Sequence, residues 1–410
     1  MNKILQIKIL IPVFLAGILL GCSNDEIDTG PGEVHSVQIP AQISAGTNDF
    51  AFDFFKSLQA FEQPDENLFV SPLSLHIALG MLLNGAENET ATEILKTLKM
   101  EGVSQTDLNE AYKTLLDDMP VADSKVTLGL ANSVWYKNTF QVETDFKNVL
   151  NQSFNAEVTG LEFNYAAKDK INQWASDKTN GKIKKVLDKI SPDDRMFLLN
   201  ALYFKGNWAK QFDANSTSDK LFYLSNGLAK HVKMMSVQAE LVVNYAEKYT
   251  AVKLPYGNGQ YEMTILVPKE NIAINDVIDS FTSEEWAGLR ANESKAQVAV
   301  GLPRLTLSYG KRLDSTLRDM GIKKVFTKEA DLKKINKTEE IGVAFVRQNT
   351  YLGIDEKGTE AAAVTTIGIG LTSAGPSKQI ICDHPFGIII NEKTSNTILF
   401  MGRIMNPDSK

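Results

Sequence analysis

The segment Met196-Phe197-Leu198-Leu199-Asn200-Ala201-Leu202-Tyr203-Phe204 is almost wholly apolar. A half-exposed element would alternate apolar and polar positions, and this run does not, so it reads as a central strand covered on both faces. Such a strand needs a large sheet with other layers packed on it. Its one polar side chain, Asn200, must find partners inside, because an unpaired buried amide costs about 1–3 kcal/mol.

Around that strand the chain changes period. Ser71-Pro72 is a helix start, with Ser as N-cap and Pro in the first turn. Ile77, Ala78, Met81 and Leu82 follow on one face and Gly85 closes the helix. Asn88 and Glu89 open another, with Ile94, Leu95 and Leu98 inward, and helical patterns cover 107–119, 143–152 and 166–178. Strand patterns lie at 251–256, 261–267, 297–308, 341–354, 380–390 and 396–405, punctuated by Pro, Gly and Asn. Helices first and strands later predict an α+β domain around large sheets.

The net charge of -7 and the lack of a long Lys/Arg run exclude the clustered basic footprint of a nucleic-acid binder. The four histidines, His35, His76, His231 and His384, are scattered and form no metal-ligand spacing, so neither a metal nor a cofactor is expected. Glu284-Glu285 could be taken as paired catalytic carboxylates, but adjacent helical residues point apart, and no nucleophile-elbow pattern supports a hydrolase. The chain is therefore not read as an enzyme. Of the two cysteines, Cys382 reads as a small buried hydrophobe.

The other cysteine belongs to an address. Lys3 and Lys8 precede an apolar run from Ile9 to Leu20. That run falls short of the roughly 20 residues of a membrane span but suits a signal peptide. Leu19-Leu20-Gly21-Cys22 resembles a bacterial lipobox, with Leu20 bulkier than usual there. The resemblance implies a signal peptide over 1–21 and lipidation of Cys22. Residues 22–45 then read as a flexible tether. Ser23-Asn24-Asp25-Glu26 is similar to a surface-export signal of some Gram-negative lipoproteins, and equally fits a solvated linker. An outer-membrane lipoprotein on the cell-surface or periplasmic face is expected.

The most specific stretch is Glu356-Lys357-Gly358-Thr359-Glu360-Ala361-Ala362-Ala363-Val364-Thr365-Thr366, continuing through Ile367 to Pro376. About 25 residues between strand patterns is far beyond an ordinary hairpin loop. In an extended chain Thr359, Ala361, Ala363 and Thr365 share one face, all small and uncharged, while Glu360, Ala362, Val364 and Thr366 share the other. The loop could become a strand with its small face over a covered surface.

Glu-Lys-Gly-Thr-Glu-Ala-Ala-Ala at this place resembles the reactive-loop hinge of inhibitory serpins. Asn67–Ser74, Asn200–Trp208, Asp383–Phe386 and Phe400–Pro407 resemble further family motifs in family order. The resemblance covers roughly residues 46–407 and implies one domain over 46–410, with a reactive loop at about 356–379. It implies a serpin fold of three β-sheets and about nine helices, with an exposed reactive-centre loop. It implies a monomeric inhibitor of serine proteases, with cysteine proteases as a further target class. The protease cleaves the loop, and the freed hinge enters the main sheet as a new strand.

By the family's usual hinge length the cleaved bond is Thr372–Ser373, with Leu371–Thr372 and Ser373–Ala374 as alternatives. The surroundings are small and aliphatic without Arg, so elastase-, chymotrypsin- or subtilisin-like targets are expected. The resemblance carries hinge roles to Glu356, Gly358, Thr359, Ala361, Ala362 and Ala363, and pairs Glu356 with Arg304. Ser71, Ser74, Asn200 and Trp208 match the polar and aromatic residues where the sheet opens. Gln348 stands where the family has histidine, and Val364 where it prefers a smaller residue. The competing reading is a serpin-fold binding protein that does not inhibit.

Overall fold

The computed structural model describes residues 35–359 and 378–408. The signal peptide over 1–21, Cys22, most of the tether, and Ala361, Ala362, Ala363, Leu371, Thr372 and Ser373 lie outside the described residues. All the described residues fall in one unit, Glu33–Lys410.

The N-terminal half carries α1 (Ala41–Gln59), β1 (Leu68–Val70), α2 (Pro72–Leu83), α3 (Asn88–Thr97), α4 (Gln105–Asp118), β2 (Val126–Lys137), α5 (Thr144–Phe154), β3 (Glu157–Leu161), α6 (Tyr165–Lys178) and β4 (Met196–Asn207). Next come β5 (Ser218–Tyr223), β6 (Ala229–Tyr245), β7 (Tyr249–Pro255), β8 (Tyr261–Pro268), α7 (Ile274–Ser280), α8 (Ser283–Ala291), β9 (Lys295–Pro303) and β10 (Leu305–Arg312). The chain ends with α9 (Asp314–Asp319), β11 (Arg347–Ile354), β12 (Gly358–Thr359), β13 (Lys378–Ile381), β14 (Phe386–Glu392) and β15 (Thr397–Ile404). The described residues thus hold nine helices in an α+β arrangement.

Hydrogen bonding joins the strands into two networks. One runs β10-β11-β12-β4-β2-β3. The other runs β1-β15-β14-β8-β7-β6-β9-β13, with β5 also on β6. The three expected sheets become two networks because β6 is long enough to serve two neighbourhoods. Ala229 to Met234 pair with β5, Met234 to Val242 with β9, and Val243 to Tyr245 with β7.

Several boundaries differ from the sequence reading. The tether ends earlier than expected, because α1 begins at Ala41. Its first turns are polar, but Ser44 Oγ donates to Ser395 O at 2.6 Å and Asn48 Nδ2 to Asn396 O at 2.7 Å. Val37 is already fully buried. The first half is less helical than expected, since β2 pairs with β4 from Val126↔Gly206 to Tyr136↔Met196. Gly129, Asn132 and Ser133 interrupt its apolar run and disguise it. The pattern at 297–308 is two strands in different networks, divided at Arg304. Residues 341–346 form no strand, and β13 and β14 divide at Asp383–Pro385.

Helix α2 starts as the sequence indicates: Ser71 Oγ accepts from Ser74 N at 3.1 Å and Pro72 occupies the first turn. It is buried almost all round, including His76. His76 Nε2 lies 3.1 Å from Leu98 O and Nδ1 lies 2.8 Å from Tyr112 Oη. Burial pushes its pKa down to about 4, with the Leu98 carbonyl acting weakly the other way. The unfolded chain takes up this proton near pH 6.5 and the folded one only near 4, so stability falls as pH drops through that window. The expected loss at pH 4.5 relative to neutral is about 2–3 kcal/mol. Urea unfolding at pH 7.5 and 4.5 checks this: His76→Gln should lose less between the two pH values by that amount, and an equal loss would refute it.

Candidate functional site

The end of β11 turns back on itself through Asp355. Its Oδ1 accepts from Lys357 N at 2.8 Å and Gly358 N at 3.3 Å, and its amide donates to Gly358 O at 2.9 Å. This side-chain-closed turn is what Asp favours. It delivers Gly358 and Thr359 into the sheet, where Thr359 pairs with Ile354 of β11 on one side and Gly206 of β4 on the other. A Cβ on Gly358 would meet Gly206 O at 2.0 Å, so only glycine fits there.

Trp208 and Glu356 pin the turn. The Trp208 indole Nε1 donates to Asp355 O at 3.0 Å, and its amide donates to Lys357 O at 2.8 Å. Its ring stacks on Tyr256, centroids 4.4 Å apart. The Tyr256 hydroxyl in turn shares a hydrogen bond of 2.6 Å with Thr359 Oγ1. Glu356 is buried and accepts from Arg304 Nε at 2.7 Å, Arg304 Nη2 at 2.6 Å and Thr217 Oγ1 at 2.5 Å. Burial opposes its charge, but Arg304 and Thr217 outweigh that and hold the carboxyl below its ordinary pKa.

Beneath Thr359 the sheet is open. Among the described residues no backbone pairing joins β4 to β11 below β12. A cavity of about 310 Å³ lies between the Met196–Ala201 part of β4 and the 341–349 segment, over Leu75, Leu79 and Leu82 of α2. This is why Leu198, Leu199 and Asn200 are only half-buried in a run that reads as fully covered.

The polar residues at the opening form two groups, one on each wall, joined through α2 where Ser74 N donates to Ser71 Oγ. On the β4 wall, Asn200 accepts from Ser74 Oγ and its Nδ2 donates to Asn132 Oδ1 at 2.6 Å. On the β11 wall, Gln348 Nε2 donates to Ser71 O at 2.8 Å, and Ser71 N donates to Gln348 Oε1 at 3.0 Å. Ser71 Oγ completes the second group by donating to Leu399 O at 2.7 Å. Lower down, the walls touch through Arg195 and Glu339 at 3.2 Å and through the rings of Phe197 and Phe345.

The sequence model of the family described as Serpin (serine protease inhibitor) matches residues 45–407. This chain belongs to the serpin family. It is 32% identical to the leukocyte elastase inhibitor of Equus caballus over 381 residues, covering 89% of this chain and 100% of the relative. The native-state crystal structure of the thermophilic serpin tengpin superposes with TM-score 0.83 at 30% identity, covering 92% of this chain and 97% of that one. A thyroxine-binding globulin in complex with thyroxine superposes with TM-score 0.82 at 26% identity, covering 90% and 100%. The family is one of protease inhibitors rather than enzymes, though it includes proteins that bind small molecules.

In this serpin the sequence reading missed Thr217, Tyr256 and Asn132. Nothing local marks the first two. Asn132 was within reach: two otherwise apolar strand runs each carry a lone asparagine, and buried amides need partners. Cys382 is fully buried, which raises its thiol pKa. Glu285 accepts from Tyr249 Oη at 2.7 Å while Glu284 is exposed, so the two carboxylates do not act as a pair.

Proposed function

We propose that this serpin inhibits serine-type proteases as a suicide substrate. The observation that carries the reading is the seating of Gly358-Thr359 between β11 and β4 at the head of an unpaired slot. The protease serine attacks the carbonyl of Thr372, or of a neighbour one residue either side, forming an ester and releasing the amine of Ser373. The freed segment then follows Thr359 into the slot as a new central strand and carries the acylated enzyme with it. Glu356, Arg304 and Trp208 hold the turn from which it enters. Asn200 and Gln348 hold the walls it separates. Gln348 does not titrate, so the walls carry no histidine-type pH response.

The small or aliphatic, uncharged residues from Leu371 to Ala374 favour elastase-, chymotrypsin- or subtilisin-like targets. Incubation with elastase, subtilisin and trypsin followed by a denaturing gel tests this. The expected result is a covalent adduct with at least one of the first two and a cut mapped to 371–374. Clean digestion by all three without adduct would overturn the proposal.

The likeness to a thyroxine-binding globulin favours a second reading, a carrier that does not inhibit. Against it, the buried, uncharged Thr359 at the head of the slot suits insertion. We further propose that Cys22 is lipidated after removal of residues 1–21 and tethers the inhibitor to the outer membrane.

A further inference from the structure

The cavity between β4 and the 341–349 segment has the size and lining of a small-molecule site. Its volume is about 310 Å³. A dry apolar cavity of about 150 Å³ already takes up benzene, and small-molecule sites begin near 300 Å³. One side is the apolar surface of α2, with Leu75, Ala78, Leu79 and Leu82. The opposite side carries Trp174 and Ala175 of α6.

Three lining residues are aromatic: Trp174, Phe197 and Phe345. The two Phe rings stand 6.3 Å apart and are tilted by 48°. Rings so spaced offer faces and edges to a further flat ring. Trp174 is 7% exposed and keeps a buried indole N–H without a partner.

The charge around this lining is uneven. Asp193, Asp194, Glu339 and Glu340 stand against Arg195 and Arg347. Arg195 is matched by Glu339 at 3.2 Å, and Arg347 by Asp188 at 2.9 Å. Asp193 and Glu340 are exposed and enter no ion pair among the described residues. A mouth with surplus carboxylates over an aromatic interior favours a cation with an apolar body and repels an organic anion.

We propose that this cavity binds a small aromatic amine. Its rings lie among Trp174, Phe197 and Phe345 over the α2 surface, and its ammonium faces Asp193 and Glu340. Such an occupant stands between the two walls, so it slows the trapping of protease. That consequence rests on the insertion reading; the binding itself does not.

A matched pair of probes tests the site: 1-naphthylmethylamine, a cation, and 1-naphthoate, an anion with the same rings. Calorimetric titration of the full chain at low salt is expected to show one site for the amine, with the carboxylate about tenfold weaker. The gap narrows as salt is added. Ala78→Phe fills the α2 side and abolishes binding, and its melting midpoint shows whether it folds. The surface pair Asp193→Asn with Glu340→Gln leaves the interior untouched and brings the two affinities together. An amine that does not bind the full chain, binding that survives Ala78→Phe in a folded variant, or equal affinity of the full chain for both probes overturns the site. Regulation is read on the denaturing gel. Amine at about ten times its Kd leaves about one chain in eleven free, so the ratio of adduct to clipped chain falls about tenfold. An unchanged ratio overturns the regulation while the site stands. A chain that forms no adduct even without amine fails as an inhibitor, and the titrations still decide the site.

Discussion

Cutting this serpin at Thr372–Ser373 is expected to raise its melting midpoint rather than lower it. An ordinary domain nicked in a surface loop gains chain entropy in the unfolded state and melts no higher. Here the cut frees a segment whose first two residues already sit in the sheet. Among the described residues, the walls of the slot below carry backbone groups with no strand partner, and Leu198 and Leu199 are half-buried. A continuous strand from Thr359 onward adds about a dozen backbone hydrogen bonds, each netting near 1 kcal/mol, so the gain is on the order of 10 kcal/mol before side-chain packing. For a domain of this length, with an unfolding entropy of about 0.8 kcal/mol per degree, that is an upward shift of roughly 10–15 °C. Calorimetry of the intact and cut protein measures it directly. Equal midpoints would mean that the intact fold stores nothing to release.

Thr359→Arg should turn the inhibitor into a plain substrate. Thr359 is 3% exposed, hydrogen-bonded to Tyr256 and enclosed between β4 and β11. An arginine there must leave the sheet or bury a charge without a carboxylate, at a cost of several kcal/mol. The hinge then cannot lead the strand in before the ester hydrolyses. The expected outcome is unchanged cleavage and an adduct yield lower by about a hundredfold, corresponding to roughly 3 kcal/mol on the branching step. Thr359→Ser keeps the hydroxyl and a small side chain, and should retain trapping. Densitometry of adduct against clipped chain gives the ratio; an arginine variant that still traps protease would remove the hinge from the mechanism.

Much of this was readable along the chain. The apolar run Met196–Phe204, the Ser71-Pro72 start and the small alternating residues from Thr359 to Thr365 carry their meaning locally. Side-chain size, backbone preference and period are properties of the residues themselves. They were enough for an α+β class and for finding the loop.

Other features belong to pairs of distant segments, and only the tertiary structure decided them. Strand β2 reads poorly because Asn132 and Ser133 look like solvent-facing residues. They are tolerated because Asn132 is bonded by Asn200 of β4 and itself donates to Phe154 O at 2.7 Å. The start of α1 is hidden by polar residues whose partners lie some 350 positions away in the β14–β15 turn. The need for glycine at 358 arises from the carbonyl of Gly206. The opening between β4 and β11 is likewise a relation between two walls, since hydrogen bonding and burial are fixed by which surfaces meet, and a sequence specifies only one surface at a time.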